Sequence, residues 1–236
     1  MQHKFGALDL IRAGLQDFDK ARTLFDELHN DGIDDDRMRL LLTTLEKACD
    51  PDVELSNLVD ITNAMQSQGR DFDAMVPDEA ALVRLITVLG VSDEMGKLMR
   101  FRPELVEAVA NDACESHLYN HEQRRAHVLK SVGADPNDRT MPTASLPLAE
   151  AATALRKTYR KQLAAIMAQD ATANDPIEIQ PRISTELSDL ADAALEGALS
   201  IARHEVDGSE HVRFAIIGMG KSSDHTATAR IANAIR

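Results

Sequence analysis

The residues of this chain best suited to chemistry lie in "HVRFAIIGMGKSSDHTATARIANAIR", from His211 to Arg236. A strand-like run, Val212 to Ile217, leads into Gly218-x-Gly220-Lys221. Glycines at a strand end let backbone amides come close to phosphate oxygens, and a lysine there can pair with them. A glycine-rich strand end is at least as often a plain turn. Ala215 to Ser222 also fits the loose form of a phosphate loop. In that motif the first small residue starts the turn, whereas Ala215 sits between Phe214 and Ile216, inside the strand. The sequence also leaves no room for further strands or a Walker-B aspartate, so a nucleoside-triphosphatase loop is set aside.

Three other clusters could do chemistry. Cys114, Glu115, His117 and His121 stand at helical spacings that gather on one face, a pattern open to a metal ion. No fourth ligand is implied elsewhere, so an exposed polar face is preferred and no metal ligand is assigned. Arg156, Lys157, Arg160 and Lys161 form a basic strip, read as a solvated face or as a contact for an acidic partner. Asp34 to Asp36 lack the alternating ligands, central glycine and twelfth-position glutamate of a calcium loop, and suit a helix start. No residue is assigned a catalytic role.

The elements that would position these residues read as helices. Leu8, Ile11, Leu15, Phe18, Leu24, Phe25 and Leu28 recur at helical spacing, followed by a break at "NDGIDDD". Helices are expected from Met38 to Cys49, from Asp50-Pro51 through Met65, and from a cap at Asp78. "QSQGRDFDAMVPD" reads as a loop. Gly90 interrupts the Asp78 helix, Ser92 with Asp93 caps the next, and Pro103 opens another. After a stretch rich in turn residues, Gly133 to Pro147, come two more helices. In the second, Leu187, Leu190, Ala191, Ala194, Leu195, Ala198 and Ala202 fall on one stripe, the pattern of a core-facing surface. The expected organisation is a helical region over 1–132, a linker at 133–147, a helical segment over 148–210, and a terminal stretch over 211–236. The fold class is mainly α: a multi-helix bundle leading into a single terminal strand.

Composition narrows the function. Lys plus Arg is 26 against 39 for Asp plus Glu, a formal charge of −13, which repels nucleic acid and anionic membranes. No apolar stretch is long enough to span a bilayer, and the N-terminus lacks a secretory core. Two cysteines without CxxC spacing fit a reducing cytoplasm. Aromatics are only 3%, so aliphatic side chains and methionine must build the core.

Read together, several segments resemble one family. "LITVLGVSDEMGKLMRFRPELVE" (Leu85 to Glu107) resembles the helical lead-in of glutamine-synthetase adenylyltransferases, members of the nucleotidyltransferase superfamily. "LRKTYRKQLAAIMAQDAT" (Leu155 to Thr172) is similar to that family's Tyr-Arg-Arg-Glu-Leu-like helix. "ISTELSDLADAALEGALSIARHEV" followed by "RFAIIGMGK" looks like the segment that enters its first nucleotidyltransferase domain. The order and spacing agree from the N-terminus to Lys221, nearly the whole sequence. The resemblance implies a bifunctional enzyme that transfers AMP from ATP to a tyrosine of glutamine synthetase and removes it by phosphorolysis, with Mg²⁺ as cofactor and nitrogen-signalling proteins as regulators. It also implies that Gly218, Gly220 and Lys221 contact the nucleotide, and that the terminal strand would begin an α/β nucleotidyltransferase domain.

After Lys221 the pattern departs. The family continues with a Gly-Gly turn, a Glu-Leu-Asn stretch and a Ser-Asp-x-Asp strand, whereas this chain reads "SSDHTATARIANAIR". If Ser223-Asp224 stood for the shifted Ser-Asp, Thr226 would occupy the place of the second carboxylate and could not replace it. The expectation is an N-terminal portion of such an enzyme, catalytically incomplete by itself, with residues beyond Lys221 poorly ordered or forming a short helix from Asp224 to Ile235. The alternative is a non-enzymatic helical module that docks glutamine synthetase or a nitrogen-signalling protein.

Overall fold

The computed structural model describes residues 5–48, 50–110 and 120–212, together with 214 and 216. Among these residues there are eleven α-helices and no strand. They divide into two compact units, Met1–Ser116 with Met167–Asn174, and His117–Ile166 with Asp175–Arg236.

The first unit begins with α1 (Ala7–Arg12) and α2 (Phe18–Asn30). The periodic segment from Leu8 to His29 is thus two helices. Gly14 takes a φ of 77°, a left-handed value that ends the first, and the Asp17 carboxylate accepts the Lys20 N–H at 3.0 Å to start the second. Leu8 and Ile11 consequently lie on an exposed face. Asp34 caps α3 (Asp35–Leu45), and Asp50 caps α4 (Pro51–Ser67), which has proline in its first turn. The stretch read as a loop holds one helical turn, α5 (Phe72–Met75), capped by Asp71. Asp78 caps α6 (Glu79–Val91), Ser92 caps α7 (Asp93–Phe101), and α8 spans Glu104–Ala110.

Helix α4 packs on α2, α6 and α7, and α6 packs on α3 and α8. Leu55, Leu58, Ile61, Met65, Leu82 and Leu85 are fully buried between them. Two polar groups enter this core. Arg84 donates to the Ala110 carbonyl at 2.6 Å, satisfying one of the orphan acceptors at the end of α8. Glu54 is 4% exposed and lies over Gly90. Gly90 therefore does not break α6. It sits in the last turn, where a Cβ would fall 1.9 Å from Glu54 Oε1. The glycine makes room for the carboxyl.

The second unit consists of α9 (His121–Ser131), most of α10 (Leu148–Thr172) and α11 (Pro176–Glu205). Asn120 and Gln123 form a reciprocal capping box at the start of α9, and Asp175 with Pro176 starts α11. Leu129, Val132, Ala134, Ala144, Ala151 and Ile201 make one core cluster, and Ile166, Ile183 and Leu190 another. Residues 133–147 contain no helix, yet Ala134 and Ala144 belong to the first cluster and the Ala144 N–H donates to the Ser200 carbonyl at 3.0 Å.

Gly197 marks where α11 approaches both neighbours. A Cβ there would meet Val128 Cγ1 at 2.6 Å and Leu155 Cδ1 at 3.0 Å. Gly197→Ala is expected to lower stability by about 1–2 kcal/mol, because overpacking outweighs alanine's better helix propensity. Thermal melting followed by circular dichroism checks this; a melting point at or above that of the wild type would show a looser contact.

The stripe on α11 is not the buried face. Of its seven residues only Leu190 is fully buried, while Leu187 and Leu195 are 41% and 42% exposed. The face turned to the protein carries Ile183, Glu186, Asp189, Ala193, Gly197, Ser200 and Ile201. Three α9 side chains explain that preference, as described below.

The expected terminal strand needs correction where it is described. Val212, Phe214 and Ile216 form no strand, and no second strand exists among the described residues to supply the hydrogen-bonded ladder that one needs. The helix considered from Asp224 to Ile235, and the expectation of poor order beyond Lys221, lie outside the described residues.

Candidate functional site

The glycine-lysine motif itself, Gly218, Gly220 and Lys221, lies outside the described residues. What the structure defines is the scaffold leading towards it. Helix α11 ends at Glu205, Gly208 turns the chain with a φ of 76°, and Ser209–His211 form one 3₁₀ turn. The Ser209 hydroxyl donates to the Arg203 carbonyl at 2.8 Å, while the Arg203 guanidinium donates to the Pro142 carbonyl at 3.1 Å. The exit is thus tied back to α11 and to the 133–147 segment. From it Val212, Phe214 and Ile216 emerge, with Val212 and Phe214 largely exposed.

Helix α11 is held by an ion-paired seam with α9. His121 Nδ1 lies 3.1 Å from Asp189 Oδ1. Arg124 donates to Glu186 Oε2 at 2.5 Å and to Gln162 Oε1 at 3.2 Å, joining all three helices of the unit. Arg125 grips Glu196 with both prongs, at 2.8 Å and 2.7 Å. Its remaining donors reach the Pro136 and Asp138 carbonyls, which secures the irregular segment. Such forked pairs fix geometry as well as charge. Burial pushes the Glu186 carboxyl above its ordinary range, against the opposing pull of Arg124 and Arg182. Hydrogen bonds from the Met141 and Thr140 amides and the Thr140 hydroxyl hold Asp138 below its own.

Sequence reasoning missed this seam. The signal was the Arg124-Arg125 pair facing carboxylates at 186, 189 and 196, whose spacing fits one side of a helix. Of the four residues weighed for a metal, His121 is engaged with Asp189, and Cys114, Glu115 and His117 lie outside the described residues. Among the described residues no group of three His, Cys, Asp or Glu side chains is placed to hold a metal. These residues therefore do not fit a two-ion magnesium site, and no chemical step is derived through one. The basic strip lies on α10, with Arg156 and Lys157 exposed and Arg160 half-buried. Among the described residues, no helix is long and apolar enough to cross a membrane.

A family model for glutamate-ammonia ligase adenylyltransferases matches residues 82–224, more than half of the chain. The chain belongs to this family. The match takes in the whole α9–α11 seam and the residues Gly218, Gly220 and Lys221. Relatives named bifunctional glutamine synthetase adenylyltransferase/adenylyl-removing enzyme include one from Bifidobacterium longum, 69% identical over 218 residues and 92% of this chain. One from Cutibacterium acnes is 31% identical over 91% of the chain, and one from Streptomyces avermitilis 28% identical over 92%. The chain spans only about one fifth of their length, at 20%, 21% and 20% respectively. No solved structure matches it. The described residues that precede the glycine-lysine motif are mainly helical.

Proposed function

We propose that this chain is the N-terminal helical portion of a bifunctional glutamine synthetase adenylyltransferase/adenylyl-removing enzyme. The observation that carries this reading is 69% identity over 92% of the chain to a relative of which it spans 20%. In that enzyme AMP passes from ATP, with Mg²⁺, to a tyrosine hydroxyl of glutamine synthetase, and phosphorolysis reverses the modification in the cytoplasm. Gly218, Gly220 and Lys221 contact the nucleotide phosphates. The carboxylates that would hold the metal are supplied by other parts of the enzyme, because Thr226 stands where the second would fall. The seam of α9 with α11 holds the approach to the glycine turn in a fixed direction.

The test is transfer of radiolabelled AMP to glutamine synthetase. The purified 236-residue chain is expected to give no turnover in either direction, whereas the full-length Bifidobacterium longum relative gives both. Turnover by the isolated chain would overturn the assignment of chemistry to other parts.

One observation favours a second role beside this one. Three of the four residues of the basic strip, Arg156, Lys157 and Arg160, have no carboxylate partner among the described residues, in a chain of net charge −13. Docking of glutamine synthetase or of a nitrogen-signalling protein would use that strip. Co-sedimentation with glutamine synthetase that weakens as salt rises supports docking, and no association at micromolar concentration rejects it.

A further inference from the structure

Helix α11 buries carboxylates beside its core residues and leaves apolar side chains on its outer face. Its carboxylates Glu186 and Asp189 are buried, and Glu196 is gripped by Arg125. Its leucines 187 and 195 point to solvent, with Ala198 and Ala202 also exposed. At the spacing of one face, positions 184, 187, 191, 195, 198 and 202 read Ser, Leu, Ala, Leu, Ala and Ala. No charge interrupts them over about 27 Å of helix, at 1.5 Å per residue. In a chain that is 28% charged, such a gap is the mark of an interface centre, where charged groups are depleted. Single exposed leucines need no explanation. A helix that buries Glu186 and Asp189 against Arg124 and His121, and turns its apolar edge outward, is built for burial on two sides.

Exposed apolar side chains continue past the helix through Val206, Val212 and Phe214. On α10, Tyr159 is also partly exposed. It falls between Leu155, which approaches Gly197, and Leu163, which packs on Ile166, Ile183 and Leu190.

We infer that this edge, centred on Leu187 and Leu195, is the seat of polypeptide that in the longer relatives lies outside the stretch matched by this chain. A second copy would bring another −13 to a chain of the same net charge, which opposes self-association. Four-fifths of each relative's length is instead tethered to this stretch at high effective concentration. The occupant presents an uncharged apolar helix or sheet face, close enough to sit over Ala191 and Ala198. This inference rests on the reading of the chain as one portion of a longer enzyme.

Thiol labelling tests it. Leu195→Cys is made in this chain, and a cysteine is placed at the aligned position of the full-length Bifidobacterium longum relative. Maleimide labelling is read on the peptide carrying the new cysteine, so that Cys49 and Cys114 do not interfere, and each rate is compared with that of the denatured protein. The isolated chain is expected to label near the denatured rate, and the full-length relative at least about tenfold more slowly. Equal, fast labelling in both overturns the inference. So does slow labelling of the isolated chain that speeds up on dilution, which assigns the face to a second copy. AMP transfer by the relative is measured separately, so a failure of the enzymatic reading leaves the labelling result intact.

Discussion

Replacing Arg124 with alanine is expected to destabilise the chain by about 3–5 kcal/mol, the range for removing one partner of a buried ion pair. The side chains of Arg124 and Glu186 are 2% and 6% exposed, so the substitution strands a carboxylate away from water. Arg182 is the remaining cation, with Nε 3.5 Å from Glu186 Oε1, and it is too exposed to compensate. Gln162 would lose its donor as well. The loss comes from desolvation rather than from missing attraction, which a double variant can show. Arg124→Met with Glu186→Met removes both charges and keeps volume, and is expected to recover most or all of the stability. Arg124→Lys keeps the charge without the fork and falls between the two. Urea unfolding followed by circular dichroism measures each. An Arg124→Ala effect below about 1 kcal/mol would mean that water reaches the pair.

This seam also explains where sequence patterning succeeded and where it stopped. Caps are local, so Asp34, Asp50, Asp78 and Ser92 could be read within a few residues of the helices they start. The break between α1 and α2 needed only a closer look at Gly14 and Asp17. The stripe on α11 was also real, but period alone does not say which side of a helix meets the protein. That was decided by Arg124 and Arg125, which lie 62 and 71 residues from their carboxylates in sequence. Likewise, Gly133 to Pro147 is rich in turn residues, and its anchoring to Arg125, Ser200 and Arg203 is long-range. The role of Gly90 became visible only with Glu54 above it. As for the candidate site, its residues could be named from sequence, while Gly218, Gly220 and Lys221 lie outside the described residues. The scaffold was partly legible, and the electrostatics that orient it were not.

The second large effect concerns pH and the first unit. Burial, and after it the charge of Asp50, push the Glu54 carboxyl up to about 7 from an ordinary 4.5. A folded pKa above the unfolded one means that the folded state keeps its proton longer. Below pH 4.5 Glu54 is protonated in both states, and its contribution to stability is fully present. As pH rises from there to about 7 the unfolded chain releases the proton first, and stability falls. The total is about 3 kcal/mol, since each pKa unit corresponds to roughly 1.4 kcal/mol. Above that window both states are ionised and the loss is constant. Glu54→Gln removes the titration while preserving shape over Gly90, so the variant is expected to be more stable than wild type at pH 8. The advantage should shrink towards zero, or reverse, at pH 4.5, where a neutral carboxylic acid fits the site as well as an amide does. Gly90→Ala acts on the same contact from the other side: its methyl forces the carboxyl to move, at about 1–3 kcal/mol, and Glu54→Ala in the same chain should relieve part of that strain. Urea midpoints measured between pH 4 and 8 check both. A wild-type-minus-Glu54→Gln difference that stays flat across the range would place the carboxyl in water and break the link between Glu54 and Gly90.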